Sequence, residues 1–209
     1  MQLSQTDQRA DSTHEQKKFL RTHYSKIRKE LGGQERDRQS SSLVRTASSL
    51  PEFKNCKMLL CYYPIGNEPS ILPLAKLAID MGKTLAFPIS DTQTHTLSFR
   101  VVTSLDQLKL GAYNICEPTD DLPEISDTSE AICIVPALAF DLNGYRLGYG
   151  KGFYDRFLSN FCGISIGLTY TQSLTQILPH DATDLPVDII ITQGRVYNVK
   201  RSTEKQAKI

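Results

Sequence analysis

The chain contains no run of 18 apolar residues, so nothing in it reads as a membrane-spanning helix. The N-terminal residues are polar and lack the apolar core of a signal peptide. Neither sign of charge dominates. Twenty-four Lys and Arg against 23 Asp and Glu leave +1, too little for the concentrated basic surface of a nucleic-acid binder. Five scattered cysteines (Cys56, Cys61, Cys116, Cys133, Cys162) form no Cys-x-x-Cys pair, and His14, His23, His95 and His180 lack metal-ligand spacing. An odd set of thiols, most of them in apolar runs, suits a reducing cytoplasm better than a disulfide framework. No motif supports a Ser-His-Asp or Cys-His nucleophile. The expectation is therefore a soluble cytoplasmic protein, without membrane or nucleic-acid partners. At 209 residues it is one domain long, with a core large enough for an enzyme.

What is present is glycine, concentrated in one place. Gly144, Gly148, Gly150 and Gly152 fall within nine positions, with Arg146 and Lys151 among them. Alternate glycines strip away side chains and permit positive φ, so that backbone N–H groups can converge on an anion. A helix starting near Lys151 would add its N-terminal partial positive charge. The spacing fits neither a Walker A loop nor a Gly-x-Gly-x-x-Gly dinucleotide fingerprint. A polyphosphate is the expected ligand; a purely structural turn between strand and helix is the competing explanation.

Apolar periodicity organises the rest. Residues 1–13 are polar and aperiodic and read as a disordered N-terminus, residues 14–199 as one α/β domain, and residues 200–209 as a polar, mobile tail. Leu20, Tyr24, Ile27 and Leu31 predict a helix from about Glu15 to Leu31, stopped by Gly32-Gly33. Further helices are predicted over about 34–49, 70–81 and 151–160. Strands are predicted at 57–62, 84–87, 96–102, 131–135, 163–168 and 189–192. The acidic stretch from Glu117 to Glu130 reads as a surface loop. Alternating strands and helices predict a single-domain three-layer α/β sandwich, Rossmann-like, with a mostly parallel sheet. The buried run Ala131–Val135 delivers the chain directly into the glycine loop, beyond the carboxyl end of a strand, where such sheets collect ligands.

Several side chains could complete a site there. Lys17, Arg21 and Arg28 fall within roughly 40° on a helical wheel, either a solvated face or the second wall of a polyphosphate site. Asp155 could cap the helix after the glycine loop or hold magnesium, with Asp184 or Asp188 as a second ligand. Glu68 could be a surface acid or an acceptor for substrate N–H groups. Tyr62, Tyr63, Tyr149, Phe153 and Tyr154 supply aromatic surface, which more often belongs to a core.

Taken together, Pro136-Ala-Leu-Ala-Phe-Asp141 and Gly144-Tyr-Arg-Leu-Gly-Tyr-Gly-Lys-Gly-Phe-Tyr-Asp-Arg156 resemble the signature of the 5-formyltetrahydrofolate cyclo-ligase (5,10-methenyltetrahydrofolate synthetase) family. Lys17-Lys-Phe-Leu-Arg21, Tyr62-Tyr-Pro-Ile-Gly-Asn-Glu68 and Asp181-Ala-Thr-Asp-Leu-Pro-Val-Asp188 resemble further elements of it, in the expected order over residues 15–195. Tyr149 stands where some members have Arg, and Phe153 replaces the first of two tyrosines. The resemblance implies ATP- and magnesium-dependent cyclisation of 5-formyltetrahydrofolate to 5,10-methenyltetrahydrofolate by a monomer. ADP and phosphate are released by way of a phosphorylated formyl group, an iminium phosphate. It assigns catalysis to Arg146, Lys151 and Tyr154. ATP would contact Lys17, Arg21 and the stretch Arg146, Leu147, Gly148, Tyr149, Gly150, Lys151, Gly152, Phe153 and Tyr154. The folate would contact Tyr62, Glu68, Tyr149 and Tyr154, and magnesium Asp155 and Asp184. Rival readings are another ATP-dependent enzyme of small-molecule kinase type, and a non-catalytic sugar-phosphate or nucleotide sensor on a similar fold.

Overall fold

A computed structural model describes residues 5–199. Helix α1 (Gln5–Glu30) precedes α2 (Gly33–Ser49), α3 (Pro51–Asn55) and strand β1 (Met58–Leu60). Then come α4 (Leu72–Asp80), β2 (Thr84–Asp91), β3 (Thr96–Val102), the short strands β4 (Lys109–Leu110) and β5 (Cys116–Glu117), and β6 (Ala131–Val135). The chain continues through β7 (Ala139–Asp141), β8 (Arg146–Leu147), α5 (Phe153–Leu158), β9 (Ile164–Leu168), β10 (Leu174–Thr175), β11 (Ile189–Thr192) and β12 (Arg195–Asn198).

Seven strands form the central sheet in the order β12-β11-β9-β6-β1-β2-β3. The inner five are parallel, and β3 and β12 close the two edges antiparallel. All five residues of β6 are buried, because a strand covered on both faces must be apolar throughout. Leu59, Leu85, Ile132, Ile134, Ile166 and Ile191 pack on one face against Leu43, Ala47, Leu74 and Ala78 of α2 and α4. On the other face, Leu60, Ala86, Cys133, Val135 and Ile190 pack against Phe140, Leu158 and Val187. That outer layer is thin. It consists of α5, lying on β3 through Phe99 and Phe157 with ring centroids 4.7 Å apart, and the small sheet β10-β7-β8.

Some elements depart from expectation. Helix α1 reaches back to Gln5 instead of starting near Glu15, so residues 5–13, expected to be disordered, are helical. A helix nucleated on the apolar stripe extends through polar residues at little cost. Residues 1–4 and the expected mobile tail at 200–209 lie outside the described residues. Gly33 opens α2 instead of helping to stop α1, and Pro51 opens the unforeseen α3 at the position where its missing N–H costs nothing. Strand β2 runs on to Asp91 through Pro88. It pairs with β1 only over Thr84–Ala86, so Pro88 deprives that side of no ladder bond. Helix α5 has six residues, not the ten expected: the left-handed Gly152, φ +71°, delays its start to Phe153, and it ends at Leu158. The acidic stretch is not wholly a surface loop either. Glu117 sits buried in β5, its carboxylate accepting from the N–H groups of Ser90 and Ala112 at 3.2 Å each.

The chain winds outward from β1 through α4 on one face and from β6 through α5 on the other. Neighbouring strands whose connections part in this way leave a crevice beyond their carboxyl ends. Among the described residues no helix is long and apolar enough to cross a membrane.

Candidate active site

A cavity of about 900 Å³ occupies that crevice. Residues far apart in sequence line it: Lys17 and Arg21 from α1, Tyr62, Tyr63 and Glu68 from the loop after β1, Arg146 through Asp155 except Leu147, and Asp181 through Leu185. The basic stripe of α1 is therefore not a solvated face.

The glycines of the loop differ in what they do. Gly150, at φ +97°, leaves a space in which a Cβ would lie 3.3 Å from the Arg21 guanidinium carbon, so glycine lets Arg21 lie against the loop. Arg21 Nε donates to the Gly148 carbonyl at 2.9 Å, fixing helix to loop. Gly152, at φ +71°, turns the chain into α5. Gly148 needs no left-handed backbone and its open side meets nothing within 4 Å. Gly144, at φ +89°, is structural: a Cβ there would meet the Val187 carbonyl at 2.7 Å. Among the described residues, no protein acceptor takes an N–H from Gly148 through Gly152. Anion-binding capacity thus resides in these loop amides and the surrounding cations, since a helix as short as α5 adds little.

Two cation–carboxylate clusters face the cavity. Lys17 Nζ lies 2.5 Å from Asp184 Oδ2 and 2.9 Å from Asp181 Oδ2. Burial opposes the Lys17 charge, but hydrogen bonds to Asp184 and Asp181 outweigh it and raise its pKa. The Thr183 hydroxyl, and then Lys17, hold Asp181 down at about 2. Opposite, Arg146 Nη2 lies 2.6 Å from Asp155 Oδ1, and Nη1 donates to the Leu185 carbonyl at 2.7 Å. The Nη2 contact is not aligned as a hydrogen bond, so this buried donor stays unsatisfied within the protein. Asp155 makes no capping bond to its own helix. Its Oδ1 instead accepts from the Leu185 N–H at 3.2 Å, which brings it beside Asp184.

Each of these two carboxylates keeps one oxygen without a hydrogen-bond partner among the described residues. A divalent ion carried by a nucleotide takes one or two carboxylates and keeps several waters, so the pair fits magnesium. Among the described residues there is no cluster of three or more His, Cys, Asp or Glu suited to a metal. Asp188, the alternative late aspartate, turns away and accepts from the Ser165 N–H and hydroxyl at 2.8 Å each.

The remaining expected residues divide. Glu68 is buried, and desolvation pushes its carboxyl upward. The Tyr149 hydroxyl donates to Glu68 Oε1 at 2.8 Å, on the side of the loop after β1. The Tyr154 hydroxyl is buried with no partner among the described residues, which a bound ligand would explain. Tyr62 contributes its ring only, its hydroxyl being engaged by the Pro69 carbonyl at 2.9 Å. Leu147, expected at the nucleotide, is instead a core residue, packed with Tyr24, Leu138, Ala139 and Leu178. Lys151 is exposed at the rim. Sequence reasoning did not assign Asp181, whose polar context has no periodicity, or a binding role for Cys116 and Ser90, which reach the cavity only because β2 is long and β5 exists.

The model of the 5-formyltetrahydrofolate cyclo-ligase family matches residues 13–193. A 5-formyltetrahydrofolate cyclo-ligase from Haemophilus influenzae is 30% identical over 178 residues, covering 82% of this chain and 95% of that protein. The one from Mus musculus is 25% identical, covering 84% and 92%. The solved structure of Aquifex aeolicus 5,10-methenyltetrahydrofolate synthetase superposes with a TM-score of 0.79 at 35% identity, covering 89% of this chain and 94% of that one. A 5,10-methenyltetrahydrofolate synthetase from Mycoplasma pneumoniae, at 21% identity and a TM-score of 0.69, shares the fold. By the extent of these matches and the order of its motifs, the chain belongs to the 5-formyltetrahydrofolate cyclo-ligase family.

Proposed function

We propose that this protein uses ATP to close the ring of 5-formyltetrahydrofolate, giving 5,10-methenyltetrahydrofolate, ADP and phosphate. The observation that carries this reading is the single cavity at the β1/β6 crevice. The loop amides, Lys17, Arg21, Arg146 and Lys151 line it together with Glu68, Tyr149 and Tyr154, whose hydroxyl has no partner among the described residues. The amides and cations suit a triphosphate, the carboxylate and hydroxyls a polar ring system, and about 900 Å³ can hold both reactants together.

The chemistry needs that proximity. A formamide oxygen is a poor leaving group, so the N5-formyl oxygen attacks the γ-phosphorus and ADP departs. The formyl carbon is then joined to N5 as an iminium and bears a phosphate ester. N10 attacks this carbon, the carbon–oxygen bond breaks, phosphate leaves, and N10 loses its proton. Catalysis of such a transfer is mostly positioning and charge neutralisation. Arg146 and Lys151 neutralise the transferred phosphoryl oxygens, and Lys17 and Arg21 hold the remaining phosphates. Tyr154 meets substrate from the cavity wall, and Glu68 accepts pterin N–H groups. Asp155 and Asp184 would hold magnesium, which supplies charge neutralisation at the phosphates.

Incubating the protein with ATP, magnesium and 5-formyltetrahydrofolate should produce the methenyl chromophore, with one ADP formed per ring closed. ATP turnover yielding a stable phosphorylated product, or a silent absorbance trace from folded protein, overturns the assignment.

A further inference from the structure

Arg28 shares the basic stripe of α1 but is engaged differently from Lys17 and Arg21. Its guanidinium is 5% exposed. Nη2 donates to the Ala137 carbonyl, Nη1 donates to the Tyr149 hydroxyl at 3.2 Å, and Nη1 stands 3.7 Å from Glu68 Oε1. The Tyr149 hydroxyl passes the chain on by donating to Glu68 Oε1 at 2.8 Å, and Glu68 Oε2 accepts the Ile65 N–H at 3.0 Å. Helix α1, the loop after β1 and the glycine loop are thus joined by one charge-assisted chain, buried at Arg28 and Glu68 and half exposed at Tyr149. Apolar side chains of similar volume would bury as well or better, so stability alone does not account for an ionic group here.

We propose that Arg28 and Tyr149 are positioning residues for the cyclisation. They orient the Glu68 carboxylate toward the substrate ring and tie the nucleotide-binding loop to the folate-binding loop. The inference rests on the function proposed above and deepens it. Neither residue need touch a reacting atom; both act through Glu68.

The electrostatics give the idea a distinctive readout. Glu68 faces Arg28 from α1, Tyr149 from the glycine loop, Tyr154 from α5 and Tyr62 from its own loop after β1. Burial pushes its carboxyl up, while the Ile65 N–H, the Tyr149 hydroxyl and Arg28 pull it back. Removing the Tyr149 hydroxyl removes one of these pulls, so Glu68 takes up its proton at higher pH.

The test is calorimetric binding of 5-formyltetrahydrofolate, together with steady-state cyclisation, across neutral and mildly acidic pH for wild type and Tyr149→Phe. The acid limb of folate binding should move to higher pH in the variant. Its folate KM near neutrality should rise by about tenfold, the scale of one lost charged hydrogen bond, while the KM for ATP changes far less. An unmoved acid limb, or equal rises in both constants with a lowered Tm, overturns the proposal in favour of a structural role. Should Tyr149→Phe fail to fold, Arg28→Lys, which keeps the charge but loses the planar fork, is read by the same criteria. Wild-type protein that binds no 5-formyltetrahydrofolate overturns the proposed function and this inference together. Wild type that binds it, with unshifted variants, overturns only the inference.

Discussion

Lys151 is the cavity cation with the least structural work to do: it is exposed, and no carboxylate pairs with it among the described residues. Lys151→Ala should therefore leave stability nearly unchanged and raise the KM for ATP by roughly 10- to 100-fold, the value of a lost charged hydrogen bond. Initial rates over an ATP series check this, and an unaltered KM removes Lys151 from the site. Asp181 gives a prediction in pH. Its folded value of about 2 lies below the ordinary 3.8, so the unfolded state binds more protons between the two. Its contribution to stability is present above about pH 4 and fades as pH falls toward 2. Thr183→Val, which deletes the hydroxyl holding it down most strongly, should flatten that part of the stability–pH curve. Urea midpoints at about pH 6 and about pH 3 test it, and parallel acid losses in both proteins refute it. The change will be small, because the Asp181 side chain is half exposed and solvent screens it.

Single residues were legible from sequence where their chemistry is independent of neighbours. Cations and glycines massed in one stretch pointed to the cavity. Leu147 and Tyr62 could not be sorted in that way. Which face of a short strand is covered, and whether a hydroxyl is already engaged, are decided by residues as distant as Leu178 and Pro69.

Between elements, one close fit is Gly167 in β9, where a Cβ would lie 2.5 Å from the Phe140 ring of β7. Both sites are deep in the core, and the ring cannot swing aside. This contact seats the small sheet on the large one, and through β8 it fixes Arg146. Gly167→Ala should cost about 1–3 kcal/mol of stability by overpacking. Adding Phe140→Leu should recover part of that, because adjacent sites couple. Equal denaturation midpoints for wild type and Gly167→Ala would refute the account. The large strands were readable because β-branched runs such as Ala131–Val135 need no tertiary information to declare themselves. The two-residue strands β4, β5, β8 and β10 were not, since nothing in a dipeptide distinguishes a strand from a loop until its partner is known. The start of α1 is invisible to apolar periodicity for a related reason: its first turns carry no apolar stripe.

For the molecule as a whole, ligand binding and folding are linked. A ligand that binds only the folded state at about a hundred times its Kd adds about 2.7 kcal/mol. Mg-ATP at such a concentration should thus raise Tm by roughly 5–10 °C for a chain of this size. Magnesium without nucleotide should do much less, because Asp155 and Asp184 are already neutralised by Arg146 and Lys17. Differential scanning fluorimetry distinguishes the cases, and an equal shift from magnesium alone would contradict the assignment of those carboxylates. The parallel-sheet architecture could be anticipated from the alternation of elements. The thinness of one outer layer could not, because much of that face is covered by the small sheet β10-β7-β8, whose strands are only two or three residues long.

Lys17 finds its two aspartates 164 and 167 positions later, and Arg21 and Arg28 reach partners 127 and 121 positions on. On the ribosome helix α1 is made well before its counterparts. A nascent chain halted just short of Asp181 already carries five of the seven central strands, yet its Lys17 ammonium still faces bulk water. Nucleotide affinity should accordingly emerge only once Asp181 and Asp184 have been added, after most of the hydrophobic scaffold has had the chance to collapse.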